Sequence, residues 1–359
     1  MTQPGGSAPH LPRLSVIVAT YNRAETLRET LRRLSRQSLP RDCYEVIVVD
    51  DGSGDTTREV VDEVRRRADI DLRYLRHENR GPGFTQNRGI RDARAPIVLL
   101  MADDIFMSPQ ALQAHLERHE RDPAEGLAIL GRVLQSPELD QTVFLRKWEP
   151  FQLGDMPDGQ ALPYHMFWAC NISFKRSFML RHGMFRDEMG VAGAAAHEDV
   201  ELGYRLHAHG LRIVFCRGAL GYHHHEETLE GTFRRSYQRG LNFPDFRRLV
   251  PEPEIDVKYR DYDLATLLRR RAELAGPRSQ YLMEGDRSLL VLALRHLLRN
   301  LLFNRLTVGW FWQPLFAAAE RSAWLAACMR ENFYRGVVVY HFRKGCRDAR
   351  RPTRPLEAT

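Results

Sequence analysis

Two adjacent carboxylates, Asp103 and Asp104, stand where the apolar run 97–101 of the segment PIVLLMADDIF stops. An uninterrupted run of that length reads as a strand buried on both faces of a parallel sheet. The carboxylates then fall at the sheet's carboxyl edge, where open α/β sheets bind ligands. Two acidic groups there suit a divalent cation holding a phosphorylated substrate. A purely local reading also exists: Asp and Ser favour helix entrances, and a helix is expected to start near Ser108-Pro109. Four more polar clusters break the chain in similar places: TYNR at 20–23, DDGS at 50–53, HED at 197–199 and YHHHE at 222–226. Each alone fits a cap or a loop. Five at the carboxyl ends of one sheet point to a single crevice.

The elements that must position them follow from apolar periodicity. Residues 14–20 (LSVIVAT) and 45–49 (EVIVV) read as buried strands, and 73–75 as a short one. Helices between them carry Leu27, Leu31 and Leu34, then Val60, Val61 and Val64, on one face. Strand, helix, strand, helix with short links is the signature of a right-handed βαβ layer. The segment NRGPGFTQNRGI at 79–90 is a glycine-rich turn entering a helix. Its glycines permit close backbone approach, and helix-start amides attract phosphate. It lacks both GK[ST] and the GxGxxG spacing, so a plain turn and cap is the competing reading. Further strands are expected over 127–134, 167–174 and 213–216, with a helix over 197–212 ended by Gly210. Tyr164, Trp168 and Trp148 give the loop-rich interval between them aromatic surface, of the kind that fills cores or packs on a sugar ring.

Composition narrows the class. At 359 residues the chain is long for one domain, so a large α/β domain with an appended region is expected. The excess of 53 Lys and Arg over 46 Asp and Glu gives +7, which fits anionic ligands or a membrane surface without calling for nucleic acid. Five scattered cysteines without a CxxC pair argue for reduced thiols, hence a cytoplasmic setting, and against a zinc knuckle. No signal peptide is visible, and no run approaches the roughly 18 apolar residues of a spanning helix.

In series, SVIVATYNR, VIVVDDGS, NRGPGFTQNRG, LLMADDI, CNISFKRSFMLRHGMF, HEDVELGYRL and ALGYHHHE resemble the inverting glycosyltransferase family 2, of the GT-A fold. The resemblance spans roughly Leu14 to Gly240. It implies an α/β protein with a Rossmann-like, mixed but mainly parallel sheet flanked by helices, followed here by a C-terminal helical region. The expected division is a disordered head at 1–13, the transferase domain at 14–255, helices at 256–342 and a basic tail at 343–359. A nucleotide-diphosphate sugar is then the expected donor, lying across the strand ends. On that match Tyr21 stacks on the nucleobase, and Asp51 accepts from its ring N–H, which favours uracil and a UDP-sugar. Thr20, Asn87, Asp103 and Asn171 also belong to the donor site, and Arg23 and Arg88 meet phosphates.

The family's DxD motif corresponds to Ala102-Asp103-Asp104. Asp104 is therefore the implied ligand of a divalent metal, Mn²⁺ or Mg²⁺, with Asp103 near the ribose or a metal-bound water. Ala102 replaces the leading carboxylate, which puts metal affinity in question. His223 and His225, two apart on one side of an extended segment, complete the shell on this reading, and imidazole favours Mn²⁺; the three consecutive histidines also read as a polar loop. Asp199 matches the general base and Glu198 its positioning partner, although acidic residues also stabilise a helix N-terminus by about 0.3–1 kcal/mol. Thr85-Gln86-Asn87 stands where relatives often carry Ala-Arg-Asn, so one phosphate cation is absent. Arg234, Arg235 and Arg239 are expected to reach the diphosphate from a closing loop.

The implied activity is metal-assisted, inverting transfer to an acceptor hydroxyl of a glycan, a lipid-linked molecule or a small molecule. Ala102 and Gln86 keep a degenerate sugar-nucleotide or glycan-binding protein in view. A nucleotidyltransferase would want a basic glycine-rich loop after the first strand, and TYNR supplies none. Beyond about Asp256, helical segments at 264–274, 288–303 and 316–329 carry wide apolar faces interrupted by Arg295, Arg299 and Arg321. With Trp310, Phe311, Trp312 and the basic end of the chain, they fit either a helical subdomain or a peripheral contact with the membrane's inner face.

Overall fold

The computed structural model describes residues 11–140, 142–148, 151, 153, 156–187, 189, 197–259 and 289–350. They form two compact units: one takes the chain up to Leu139 together with Phe151–His225, the other takes Asp140–Pro150 and everything from Glu226.

The first unit is an α/β layer built as the apolar runs require. Its elements are β1 (Leu14–Thr20), α1 (Ala24–Leu34), β2 (Tyr44–Asp50), α2 (Thr57–Arg67), β3 (Asp71–Arg76), α3 (Pro82–Asp92), β4 (Ile97–Ala102), β5 (Ile105–Met107), α4 (Ala111–Arg121) and β6 (Leu127–Gln135). In the second unit α5 (Val143–Lys147) follows. The chain then returns through β7 (Ala161–Leu162), β8 (Asn171–Lys175), α6 (Arg176–His182), α7 (Glu198–His207) and β9 (Arg212–His223). The sheet order is β3-β2-β1-β4-β8-β6-β9-β5, with β7 paired to β9. β3, β2, β1 and β4 run parallel, β8 enters antiparallel to β4 and β6, and β6 pairs with β9 in parallel. The sheet is therefore mixed and mainly parallel, as the sequence implies.

Both faces are covered. Val16 and Val18 of β1 and Leu99 of β4 pack with Leu27, Leu31, Val61 and Leu112 from helices on one face. Ile17, Val98 and Leu100 point the other way, onto Ile90, Phe178 and Leu202. Alternation along a strand buried on both sides turns one apolar run into two cores. Gly89 lets α3 lie close on β1: a Cβ there would stand 2.5 Å from Ile17 Cγ2.

Opposite the carboxyl edge, Glu45 at the start of β2 is fully buried. Ser15 Oγ donates to its Oε1 at 2.6 Å and Arg94 N–H at 2.8 Å, while Arg94 Nε and Arg73 Nη1 reach Oε2 at 2.9 and 3.1 Å. One carboxylate thus ties β1, β2, β3 and the turn before β4.

Several expectations are corrected. The strand expected over 167–174 begins only at Asn171, because Tyr164–Met166 forms a 3₁₀ turn after Pro163. The strand expected at 213–216 runs on to His223. In the second unit α8 (Leu229–Leu249) and α9 (Pro253–Tyr259) precede α10 (Leu289–Leu302), a short turn with a π-helical stretch over Val308–Trp312, α11 (Gln313–Ala319), α12 (Ala323–Cys328) and α13 (Glu331–Ala349). The helix expected over 316–329 is two, the second capped by Ser322 on Leu325 N–H. Residues 343–349, assigned to a tail, are the last turns of α13; the segment 264–274 lies outside the described residues. The two units meet in sequence at 225/226 rather than 255/256, because α8 packs along α13: a Cβ on Gly240 would stand 2.0 Å from the Phe342 carbonyl, and one on Gly345 2.2 Å from the Tyr237 carbonyl.

The Glu45 cluster makes the fold acid-sensitive in a defined sense. Burial works against the ionised form, and the bonds from Ser15, Arg94 and Arg73 overcome it, so the folded pKa is lowered. That stabilisation is present above the unfolded glutamate value and lost as pH falls through the lower folded one. Glu45→Gln keeps the shape and loses the charge; it is expected to lower unfolding stability at neutral pH by about 2 kcal/mol or more, read by urea titration.

Candidate active site

Register brings the polar clusters together. Thr20 ends β1 beside Asp50, Ala19 lies beside Ala102, and Met101 is paired with Asn171 at the start of β8. Residues that follow β1, β2 and β4 in sequence therefore emerge side by side.

Asp103 and Asp104 are both buried, and one guanidinium serves the pair. Arg23 Nη1 lies 3.1 Å from Asp103 Oδ1 and 2.5 Å from Asp104 Oδ2. Thr20 Oγ1 donates to Asp103 Oδ2 at 2.7 Å, and Thr30 Oγ1 to the Asp103 carbonyl at 2.6 Å. Burial first, then repulsion from Asp104, pushes the Asp103 carboxyl up to about 6 against the pull of Arg23 and Thr20. Burial also opposes the charge on Arg23, but the fields of Asp103 and Asp104 outweigh it and raise its pKa. Arg23 therefore binds the carboxylates here rather than standing apart from them.

The histidines join the same point. Ile105 pairs with His223 between β5 and β9, and His224 N–H donates to the Asp104 carbonyl at 2.8 Å. Alternation then sends His223 and His225 toward Asp104: His223 Nε2 is 3.7 Å and His225 Nδ1 3.9 Å from Asp104 Oδ2. His224 faces away, stacked on Phe106 and 3.1 Å from Ser136 Oγ. Among the described residues no three His, Cys, Asp or Glu side chains converge closely enough to hold a metal unaided. One carboxylate flanked by two imidazoles is instead a partial set, of the kind that phosphate oxygens and water complete.

Asp199 sits in the first turn of α7, just after His197, whose backbone takes the left-handed conformation at φ 79°. Its Oδ2 accepts Ala169 N–H at 3.1 Å, and one residue on, the Cys170 carbonyl accepts Ala102 N–H at 3.2 Å. The base candidate and the residue that precedes the acidic pair are thus fastened to neighbouring residues of one short stretch. The Cys170 thiol senses both: burial raises its pKa, and the charges of Asp199 and Asp104 raise it further. Glu198 is buried beside Asp199 in the same turn.

The other end of the crevice joins three loops. Asn22, at φ 53°, donates its N–H to Ser53 Oγ at 2.9 Å and accepts Gly54 N–H at 2.8 Å, leaving Tyr21 half-exposed next to it. Asp51 accepts Arg80 N–H at 2.7 Å and Gly81 N–H at 3.0 Å, which brings in the glycine-rich turn. Between them Gly52 has φ 85°, and a Cβ there would lie 2.8 Å from the Asn79 amide nitrogen.

Some expected site residues are elsewhere. Asn87 is buried, its amide donating to the Phe185 carbonyl and Asp187 at 2.8 Å each. Asn171 is also buried: its Oδ1 meets His115 Nε2 at 2.9 Å and its Nδ2 donates to the Ala219 carbonyl at 2.9 Å. Both are positioned to hold backbone rather than ligand. Arg88 is half-buried and donates to the Arg76 carbonyl at 3.3 Å. Arg234, Arg235 and Arg239 lie on α8, a helix and not a loop. Sequence reasoning missed Thr30, Cys170 and the histidines of α4. Thr30 was detectable, as the one hydroxyl on the Leu27, Leu31 and Leu34 face of α1; Cys170 carries no pattern.

Residues 15–182 match the profile of glycosyl transferase family 2. The matched stretch is a glycosyl transferase family 2 domain, and the fold around it is of the GT-A kind. It is 32% identical over 253 residues to the validoxylamine A glucosyltransferase of Streptomyces hygroscopicus subsp. jinggangensis, covering 63% of this chain and 58% of that protein. It is 26% identical over 274 residues to the chondroitin synthase of Escherichia coli, covering 66% of this chain and 38% of the synthase. The chain thus spans little more than half the length of the first of these relatives. In fold it is similar to the mannosyltransferase PcManGT of Pyrobaculum calidifontis, with TM-score 0.54 and 21% identity, over 91% of this chain and 90% of that one.

The histidines around Asn171 give a pH signature. His115 Nδ1 is 2.9 Å and His119 Nε2 3.0 Å from Ser173 Oγ. Burial lowers the His115 pKa to about 4; burial, then His115 and Lys175, lowers that of His119 to about 3. Unfolded imidazoles take protons below about 6.5, so stability is complete above that value and falls as pH drops toward the folded values, by about 1.4 kcal/mol per unit for each ring. Asp103, with its raised pKa, works in the opposite direction over part of the window. The difference between wild type and His119→Gln isolates the ring: the variant should show a shallower loss of unfolding free energy between pH 6.5 and 4.

Proposed function

We propose that the protein transfers a sugar from a nucleotide-diphosphate sugar, a UDP-sugar by preference, to an acceptor hydroxyl with inversion at the anomeric carbon. The observation that carries this reading is that Asp199 is bonded to Ala169 N–H while Ala102, the residue just before the Asp103–Asp104 pair, is bonded to the Cys170 carbonyl. Asp199 and Asp104 both raise the pKa of the Cys170 thiol beside these bonds, which supports one carboxylate and the acidic pair serving a single reacting centre.

Tyr21 offers an exposed ring for the base, and Asp51, fixed by two backbone N–H groups, keeps lone pairs for the uracil ring N–H. A base with the wrong edge would leave that carboxylate poorly matched. Asp104 with His223 and His225 would hold Mn²⁺ or Mg²⁺, and the mannosyltransferase of similar fold was solved with GDP-mannose and Mn²⁺. When bound, such a cation supplies charge neutralisation for the diphosphate leaving group. Asp199 takes the acceptor proton as the hydroxyl oxygen bonds to the anomeric carbon. The bond from that carbon to the diphosphate oxygen breaks on the opposite face, and its electron pair leaves with the nucleotide. Ala169 N–H keeps the Asp199 carboxylate oriented for that transfer. The relatives named above are, by their names, a glucosyltransferase of validoxylamine A and a synthase of chondroitin, so the acceptor is assigned only as a hydroxyl.

Two measurements test the reading. With UDP-sugars, Mn²⁺ and a panel of acceptors, Asp199→Asn should lower the turnover of UDP release by about 10²–10⁴-fold while donor binding is kept. Equal release by wild type and variant would remove Asp199 as base, and no release from either would favour a binding protein. Asp104→Asn should abolish the gain in UDP affinity that Mn²⁺ confers, read by calorimetry; an unchanged gain would discard the assignment of Asp104.

A further inference from the structure

The second unit carries a feature that glycosyl transfer at the sheet edge does not use. A cavity of about 280 Å³ opens between α10 and α13, and Arg299, Arg305, Arg343 and Arg347 line it together with Asn300 and Tyr340. No carboxylate is among the described residues that line it. Arg343 donates to the neutral amide of Asn300, and Arg305 and Arg347 are exposed. Four guanidiniums around one hollow form a site for phosphate oxygens, which planar forked donors recognise better than any other side chain.

The same helix has its apolar face outward. Leu290, Leu294, Leu297 and Leu301 recur at helical spacing and are exposed, Leu290 to 79%, while His296 on the opposite side is buried. A helix packed on a protein core shows the reverse arrangement. Trp310, 85% exposed, and Trp324, 73% exposed, extend the apolar surface. Tryptophan and leucine on the outside with arginine beside them is the composition of an interfacial element. Among the described residues no helix is long and apolar enough to cross a bilayer, so the arrangement suits lying on a leaflet rather than spanning it.

We propose that this unit docks on an anionic phospholipid leaflet, with headgroup phosphates in the arginine-lined cavity and the outer leucines of α10 in the acyl boundary. A second copy of the chain fits the same face less well. A two-fold contact would bring one arginine cluster against another across the interface.

The full-length protein would be co-sedimented with vesicles of phosphatidylcholine alone and with roughly one-third phosphatidylglycerol, where each surface cation is worth about fivefold in binding. Partition should be at least about tenfold stronger to the anionic vesicles and should weaken with salt. Arg305→Gln with Arg347→Gln should reduce it by more than about tenfold, and Leu297→Gln with Leu301→Gln should reduce it on both vesicle types. All four positions are exposed, and unchanged circular dichroism and thermal midpoint would show that the variants fold. Absence of sedimentation, equal partition to both vesicle types, or partition unaffected by either pair would overturn the proposal. So would a dimer in light scattering that the leucine pair converts to monomer while vesicles remain unbound.

Discussion

Two buried carboxylates adjacent in sequence, with one arginine for both, are the constraint around which the first unit is arranged. Asp103 and Asp104 repel each other in a buried place, and burial first, then that repulsion, raises the pKa of Asp103. Relief comes from Arg23 after β1 and the Thr20 hydroxyl at its end, and His223 at the end of β9 and His225 beyond it stand beside Asp104. Each reaches the pair only because parallel strands finish at the same level. The sheet is thus the device that converts distant sequence positions into one concentrated charge.

The two ends of the strands treat charge differently. At the amino end, Glu45 receives four hydrogen bonds and two arginines and is over-neutralised. At the carboxyl end, two acids share one guanidinium. Charge is therefore fully matched at the amino end and left in excess at the carboxyl end, the edge at which open α/β sheets bind ligands.

Much of this architecture is legible in the residues. β1 coincides with the apolar run Leu14–Thr20 because a strand buried on both faces shows up as unbroken hydrophobicity, and the polar words after β1, β2 and β4 mark their ends. The pairing of Arg23 with the acidic pair is not legible, since it spans some eighty positions and no local pattern encodes it. Asn171 and Asn87 look like ligand-facing amides on a motif reading, yet both hold backbone carbonyls, because a buried amide must find its partners wherever packing offers them. The end of α13 was hidden by its own charges: Arg343, Lys344 and Arg347 make its last turns read as a tail, although Cys346 among them is buried.

The crossing of α8 and α13 imposes a different kind of limit. Where Gly240 and Gly345 let two backbones touch, any side chain would have to displace a main-chain atom, so neither position tolerates drift. The matched family profile ends at residue 182, well before this crossing. Kinship of the second unit would therefore be traced through that glycine pair rather than through its leucines, which are free to interchange with other apolar residues while the lineage diverges.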